Sequence, residues 1–361
     1  MLLTGASGFK GAWLSAWLKE LGAEVWGLAL APEAPTDLFP SARMQELIHW
    51  KEGDIRDPAT CREAVAAAEP DTVLHLAAQA LVRPSYQDPI GTFATNVMGT
   101  AHLLDAVRQA GRPCGVVIVT TDKCYRTGSA HPSYREGDPM GGDDPYSASK
   151  GCAELVTDSY RASFFPPSDL TEHGVAVASA RAGNVVGPGD WATDRLVPDC
   201  VRALLQGEPV HIRRPEAVRP WQHVLEPLAG YLELAERLHP DAPVATRRHA
   251  SRGWNFGPRP EDAQPVRVVV DTMLEAWGEG TWIDGSSPQD PPESATLRLS
   301  IDQALTQLHW RPRWALAQTL AATVEGYRAL ASAQTPAEVR GVLSAQIARY
   351  GGAVASSEVL A

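Results

Sequence analysis

The chain has 361 residues, 44% of them hydrophobic, and 43 acidic against 32 basic side chains give a formal net charge of −11. That is enough apolar material for one large or two moderate domains with a real core. The acidic balance leaves no basic footprint for nucleic acid, and no run approaches the roughly 18 to 20 apolar residues of a membrane span.

Five cysteines, odd in number and without CxxC spacing, argue for reduced thiols and against a metal site or a disulfide framework. The first residues lack the basic-then-apolar layout of a signal peptide, so a cytoplasmic location is expected.

The first element reads as strand, glycine turn and helix. Glycines stand at 5, 8 and 11 in Gly5-Ala-Ser-Gly-Phe-Lys-Gly11, followed by an amphipathic pattern of Trp13, Leu14, Trp17, Leu18 and Leu21 that stops at Gly22. In such a turn the first glycine permits the bend, the second lets backbone approach a pyrophosphate, and the third lets helix pack on strand. Only three residues precede Thr4, so the first strand is expected to lack some of its length.

A second strand follows at Ala23-Glu-Val-Trp-Gly-Leu-Ala-Leu30, and Gly53-Asp54-Ile55 then offers a carboxylate suited to an adenine edge. The acidic residue that would close the second strand and select an unphosphorylated ribose is missing from Leu28-Ala-Leu-Ala-Pro32, so spacing leaves NAD against NADP open.

Asp71-Thr-Val-Leu-His-Leu-Ala-Ala-Gln79 reads as a buried strand whose Ala77 and Ala78 leave room for a flat ring or a pyrophosphate, or serve close packing. Asn96 opens a helical pattern through Leu103, Leu104 and Val107.

Gly115-Val-Val-Ile-Val119 is another buried strand, delivering Thr121, Asp122 and Lys123 at its carboxyl end, where ligands sit in open α/β sheets. Tyr146 and Lys150 are four apart at the start of a helix to about Ser163 and share a face. A phenol beside an ammonium is a tunable base. A further strand, Val175-Ala-Val-Ala-Ser-Ala-Arg181, completes an α/β doubly wound parallel sheet.

From Gly183 the texture turns to Gly, Pro, Trp and Arg, which is expected to hold ligands instead of building a sheet. Asn184, Asp190, Trp191, Arg195, Arg219, Gln222 and His223 lie there, and with Arg83 their arginines suit a diphosphate, because the guanidinium fork takes phosphate oxygens in pairs. Later come a helix near Val266 to Trp277, the segment Leu297 to Tyr327, and a helix around Pro336 to Tyr350 that then frays.

With these residues assembled, the chain resembles the extended short-chain dehydrogenases/reductases and, among them, the CDP-glucose 4,6-dehydratase family. The match rests on Gly5–Gly11, Thr121-Asp-Lys-Cys-Tyr125, Met140–Lys150, Ser179–Asn184, Gly189-Asp-Trp191 and Arg219-Pro-Trp-Gln-His223. It departs at Ala6-Ser7, at Thr121 where serine is usual, and at Pro188.

The resemblance implies a Rossmann-type NAD-binding unit over 1–183, with a return around 222–238. It implies a smaller mixed α/β nucleotide-sugar-binding unit over 184–221 and 239–330, and a helix with tail over 331–361. NAD would be held by Gly5, Ser7, Gly8, Phe9, Lys10, Gly11, Asp54, Ile55, Ala77, Ala78, Gln79, Asn96, Tyr146 and Lys150. The implied substrate is a CDP-hexose, CDP-glucose, and the implied assembly is a homodimer or homotetramer paired through the helices after 92 and 146.

The chemistry expected of these residues is an internal redox dehydration. Tyr146, its pKa lowered by Lys150 and the nicotinamide, takes the proton of the sugar 4-hydroxyl, and Thr121 holds the resulting carbonyl. Lys123, made neutral, and Asp122, kept protonated, then expel water across C5 and C6. Another nucleotide-sugar 4,6-dehydratase, a 4-epimerase, or a non-catalytic dinucleotide sensor on the same fold are the other readings.

Overall fold

Short β-branched runs separated by amphipathic helices assemble here into parallel strands. The computed structural model describes residues 1–128, 133–286 and 298–357; of the stretches read above, 129–132 in the central segment, Leu297 and the last four residues lie outside it. The strands are β1 (Leu2–Thr4), β2 (Trp26–Ala29), β3 (His49–Glu52), β4 (Thr72–His75), β5 (Cys114–Val119), β6 (Val175–Ala182), β7 (Asn184–Val186), β8 (Val210–Ile212), β9 (Val218–His223), β10 (Gly253–Phe256), β11 (Ala263–Pro265) and β12 (Trp282–Asp284).

Seven of them form one sheet in the order β10-β6-β5-β4-β1-β2-β3, every pair parallel. The order reverses at β1, which lies between β2 and β4, so a crevice opens beyond the carboxyl ends of β1 and β4. β1 is three residues long and wholly buried, with each residue paired on both sides.

Helices cover both faces because both faces of these strands are apolar. One core gathers Trp13, Leu14, Leu74, Val117, Tyr231, Trp254 and Phe256; the other gathers Leu103, Leu104, Val107, Val116 and Val177. The helix Leu225–Leu238 packs on β4, β5 and β6.

Two expectations from the sequence need correction. The stretch after Gly183 does build a sheet: β7 runs parallel to β9, and β9 runs antiparallel to β11. The cause is a core of its own, where Val186 and Trp221 meet Val201, Val270, Met273 and Tyr327. Likewise, the chain does not leave the first unit at 239. The helix Val244–Ala250 packs against β6, and β10 joins the main sheet as its edge, from Gly253 opposite Ser179 to Phe256 opposite Ala182. Trp254 and Phe256 are fully buried there.

The C-terminal helix, Pro336–Ser357, extends beyond Tyr350 and packs on the first helix, Phe9–Glu20, and on Leu316–Ser332. Tyr350 Oη donates to Glu226 Oε2 at 2.7 Å, and the same carboxylate accepts the Arg313 and Trp314 N–H groups. No described helix is long and apolar enough to cross a membrane.

Candidate active site

The glycine turn sits where the strand order reverses. Gly5 has φ +72°, and a Cβ there would lie 2.6 Å from the Ala77 nitrogen; one on Gly11 would lie 2.0 Å from the Gly5 carbonyl oxygen. These two glycines are therefore fixed by close packing of backbone on backbone. Gly8 differs, since a Cβ there would meet only the Gly5 oxygen, at 3.4 Å.

Gly8 caps the first helix without any side-chain hydrogen bond, and the first turn carries no acidic residue. Its N–H groups and dipole thus remain for an anion, which fits the pyrophosphate of a dinucleotide. Ser7 Oγ donates to the Leu30 carbonyl at 2.9 Å, closing the turn against the end of β2.

Around this turn the other cofactor candidates are spread along the crevice. Ile55 packs so tightly on Gly99 that a Cβ there would lie 2.4 Å from its Cδ1. Asp54 is partly spent: its carboxylate takes both the backbone N–H and the guanidinium of Arg56, which holds its pKa below the ordinary carboxylate range.

Ala77 N donates to Thr4 Oγ1 at 3.2 Å, next to the partly exposed Ala78. Gln79 turns its amide into its own loop, toward the Leu81 carbonyl and Thr92 Oγ1. Asn96 sits in a π-helical turn, Ala94–Met98. Its amide bonds both backbone groups of Gln79 and donates to Ser149 Oγ at 2.8 Å, and Ser149 donates to the Tyr146 carbonyl at 2.7 Å. Asn96 is thus a strut between the β4 loop and the helix Pro145–Ser163.

Asp144 starts that helix by accepting the Ser147 N–H, with Pro145 at the first helical position. One turn on, Lys150 Nζ donates to the Val119 carbonyl at 3.2 Å, pinning helix to β5. Burial pushes its ammonium down to about 8, with Glu154 opposing.

Tyr146 is nearly buried, and burial pushes its phenol up to about 12; the nearby Thr121 side chain and the charge of Arg195 act downward.

Beyond β5, Thr121 Oγ1 donates to Asp122 Oδ1 at 3.0 Å. Asp122 is buried, and burial raises its carboxyl above the usual range against the pull of Lys123, Thr121 and Arg219. Its Oδ2 has no hydrogen-bond partner among the described residues, and a Cβ on Gly183 would come within 2.9 Å of that oxygen. Lys10 also reaches this centre: its ammonium donates to Tyr231 Oη at 3.3 Å and is pushed down to about 7, first by burial and then by Arg195 and Lys150.

The substrate candidates divide. Asn184 opens β7 and Arg219 lies on β9, close enough to act on Asp122. Asp190 binds Arg195 at 3.0 Å while its carbonyl accepts from Tyr327 Oη; Trp191 packs edge-on against Tyr327. Arg83 crosses the cleft to Asp194 at 2.9 Å, and Arg213 meets the same carboxylate.

Gln222 donates to the Phe256 carbonyl and leaves Oε1 buried without a described partner. His223, however, is not placed to touch a ligand. It is fully buried between Trp13 and Trp314, where Nδ1 accepts from the Leu225 N–H. Spacing gave no sign of Ser85, which accepts the Tyr146 N–H at 3.2 Å, or of the Thr4–His75–Thr100 chain beneath the turn.

The family described as GDP-mannose 4,6 dehydratase matches residues 2–323 of this chain. The chain belongs to that family. Among curated members of this group, CDP-glucose 4,6-dehydratase of Salmonella typhimurium (strain LT2) is 50% identical over 91% of the chain and 90% of its own length. dTDP-glucose 4,6-dehydratase of Streptomyces griseus is 30% identical over 91% and 93%.

The dehydratase fold recurs in solved structures. DesIV, a dTDP-glucose 4,6-dehydratase from Streptomyces venezuelae with NAD and TYD bound, superposes with a TM-score of 0.73 at 24% identity, over 91% of this chain and 96% of its own. UDP-glucose 4-epimerase of Thermus thermophilus in complex with NAD gives 0.76 at 24%, over 91% and 98%.

Proposed function

We propose that this protein is an NAD-dependent hydro-lyase, a CDP-glucose 4,6-dehydratase, that turns CDP-D-glucose into CDP-4-dehydro-6-deoxy-D-glucose and water. The observation that carries the reading is the place Thr121 takes: its Oγ1 donates to the buried Asp122 at 3.0 Å, and its side chain lies near enough to the Tyr146 phenol to oppose the rise that burial gives that group. The oxidation site and the acid for dehydration in this reading thus meet at Thr121. The 50% identical relative supports the choice of CDP as the nucleotide.

NAD held by the glycine turn Gly5–Gly11 and by Lys150 would supply hydride chemistry, with a hydride accepted from sugar C4 and given back at C6. Tyr146 Oη takes the proton of the 4-hydroxyl, a role its burial opposes and nearby positive charge favours. The Thr121 hydroxyl holds the 4-carbonyl, which acidifies C5. Lys123 removes the C5 proton and gives it back to C5 when hydride arrives at C6, and Asp122, whose protonated form burial favours, delivers a proton to the departing 6-hydroxyl. Asp190, Trp191, Arg195 and Arg219 line the nucleotide-sugar side.

The assembly belonging to this reading is a cytoplasmic homodimer or homotetramer paired through Gly99–Ala110 and Pro145–Ser163. Tyr86, Ile90, Met98 and Leu155, exposed apolar side chains on or beside those helices, support it.

Incubation with CDP-, dTDP-, GDP- and UDP-hexoses followed by mass spectrometry tests the reading. CDP-glucose should lose one water fastest, and a product of unchanged mass would mark an epimerase.

A further inference from the structure

Beneath the acid/base turn lies a charged cluster that the chemistry above does not use. Glu154 follows Lys150 by one helical turn and is fully buried. Its Oε1 accepts from the Thr120 hydroxyl, and its Oε2 accepts from Ser179 Oγ and from Arg181 Nη2, both at 2.7 Å. Arg181, also buried, donates from Nη1 to Tyr125 Oη at 2.8 Å and to the Glu136 carbonyl at 2.9 Å. Tyr125 Oη in turn donates to Asn255 Oδ1 at 2.7 Å.

The three residues Thr121, Asp122 and Lys123 are therefore pinned from both sides, Thr120 by the carboxylate and Tyr125 by the guanidinium. A buried ion pair is a poor source of stability beside apolar side chains of equal volume, so what it holds is the better account of its presence.

We propose that Glu154 and Arg181 are positioning residues of the reaction, setting Asp122 and Lys123 against Tyr146 and Lys150 through Thr120 and Tyr125. The proposal rests on the dehydratase reading above. It also gives Glu154 an electrostatic task. Lys150 is surrounded by Cys124 on the turn, Lys10 from the glycine turn, His75 from β4 and Glu154 on its own helix, and Glu154 is the carboxylate among them. Its charge holds Lys150 as an ammonium against burial, while Arg181 and Arg161 face it from the other side.

Two variants of the full-length protein test this. Tyr125→Phe removes one hydroxyl and should slow water loss roughly tenfold, the rate equivalent of one hydrogen bond, while sugar oxidation, read as transient reduced nicotinamide, stays within about twofold. Glu154→Gln keeps the shape but removes the charge, so the alkaline limb of kcat should move to lower pH. Equal effects of Tyr125→Phe on both steps, or none on either, would overturn the proposal, as would an unmoved limb in Glu154→Gln. If Glu154→Gln does not fold, the partition in Tyr125→Phe decides.

Wild-type protein that releases no water from CDP-glucose overturns the dehydratase reading instead. The alkaline limb of oxidation of whichever nucleotide hexose is oxidised then decides the positioning role.

Discussion

Thr121 donates to one oxygen of Asp122 at 3.0 Å, while the other oxygen of the same buried carboxyl has no partner among the described residues. A buried polar atom without a partner is costly unless function uses it, and an acid aimed at a leaving hydroxyl uses it. Asp122→Asn should cut water release by about 10²- to 10⁴-fold, the usual worth of a general acid, and leave C4 oxidation nearly intact. Because burial holds the carboxyl above its ordinary range, the wild type should stay active above the pH where an exposed aspartate ionises and lose rate as pH rises through the raised value. Stopped-flow absorbance of reduced nicotinamide beside product release separates the two steps.

Lys123 stands next to that acid and donates its backbone N–H to Thr121 Oγ1 at 3.4 Å. Lys123→Met should abolish C5 proton removal while reduced nicotinamide still accumulates. Undiminished product formation in this variant would remove Lys123 from the mechanism.

Much of this was legible in the sequence because its signals are local. Glycines at 5, 8 and 11, the apolar run before Thr121 and the four-residue step from Tyr146 to Lys150 each report a turn, a strand or a helical face. What escaped depends on partners far along the chain. The sheet of β7, β9 and β11 joins three short strands, and β10 finds β6 across more than seventy residues of sequence. Arg219 to His223 reads as one motif, yet Arg219 acts on Asp122 while His223 is sealed between two tryptophans. Glu154 could be placed on the Lys150 face by spacing, but not its pairing with Arg181.

The glycine turn gives a contrast between two conservative changes. Gly11→Ala forces a Cβ to 2.0 Å from a backbone oxygen and should destabilise the fold by about 1 to 3 kcal/mol or more. Gly8→Ala meets only a contact at 3.4 Å and should fold normally, while the proposed approach of this backbone to the pyrophosphate predicts weaker holding of NAD. Urea midpoints together with mass spectrometry of bound nucleotide distinguish the two.

Two buried histidines set the response to mild acid. His75, between Thr4 and Thr100, and His223, between Trp13 and Trp314, are both held down to about 3 by burial. Both folded values lie below the ordinary 6.5, so the unfolded chain binds the extra protons. Their stabilising share is full above about pH 6.5 and declines toward pH 3, by about 1.4 kcal/mol per pH unit for each ring. Urea midpoints should fall between about pH 7 and about pH 5.5, and less steeply in His75→Gln; an equal slope in that variant would contradict the assignment.

The central claim is that one pocket removes hydrogen from C4 and returns it to C6 of the same sugar. CDP-[4-²H]glucose, mixed with an excess of unlabelled substrate and analysed by NMR, tests it most directly. The account predicts deuterium at C6 of the 4-keto-6-deoxy product, with no label crossing into product formed from unlabelled molecules. Deuterium retained at C4, or scrambled between molecules, would contradict it.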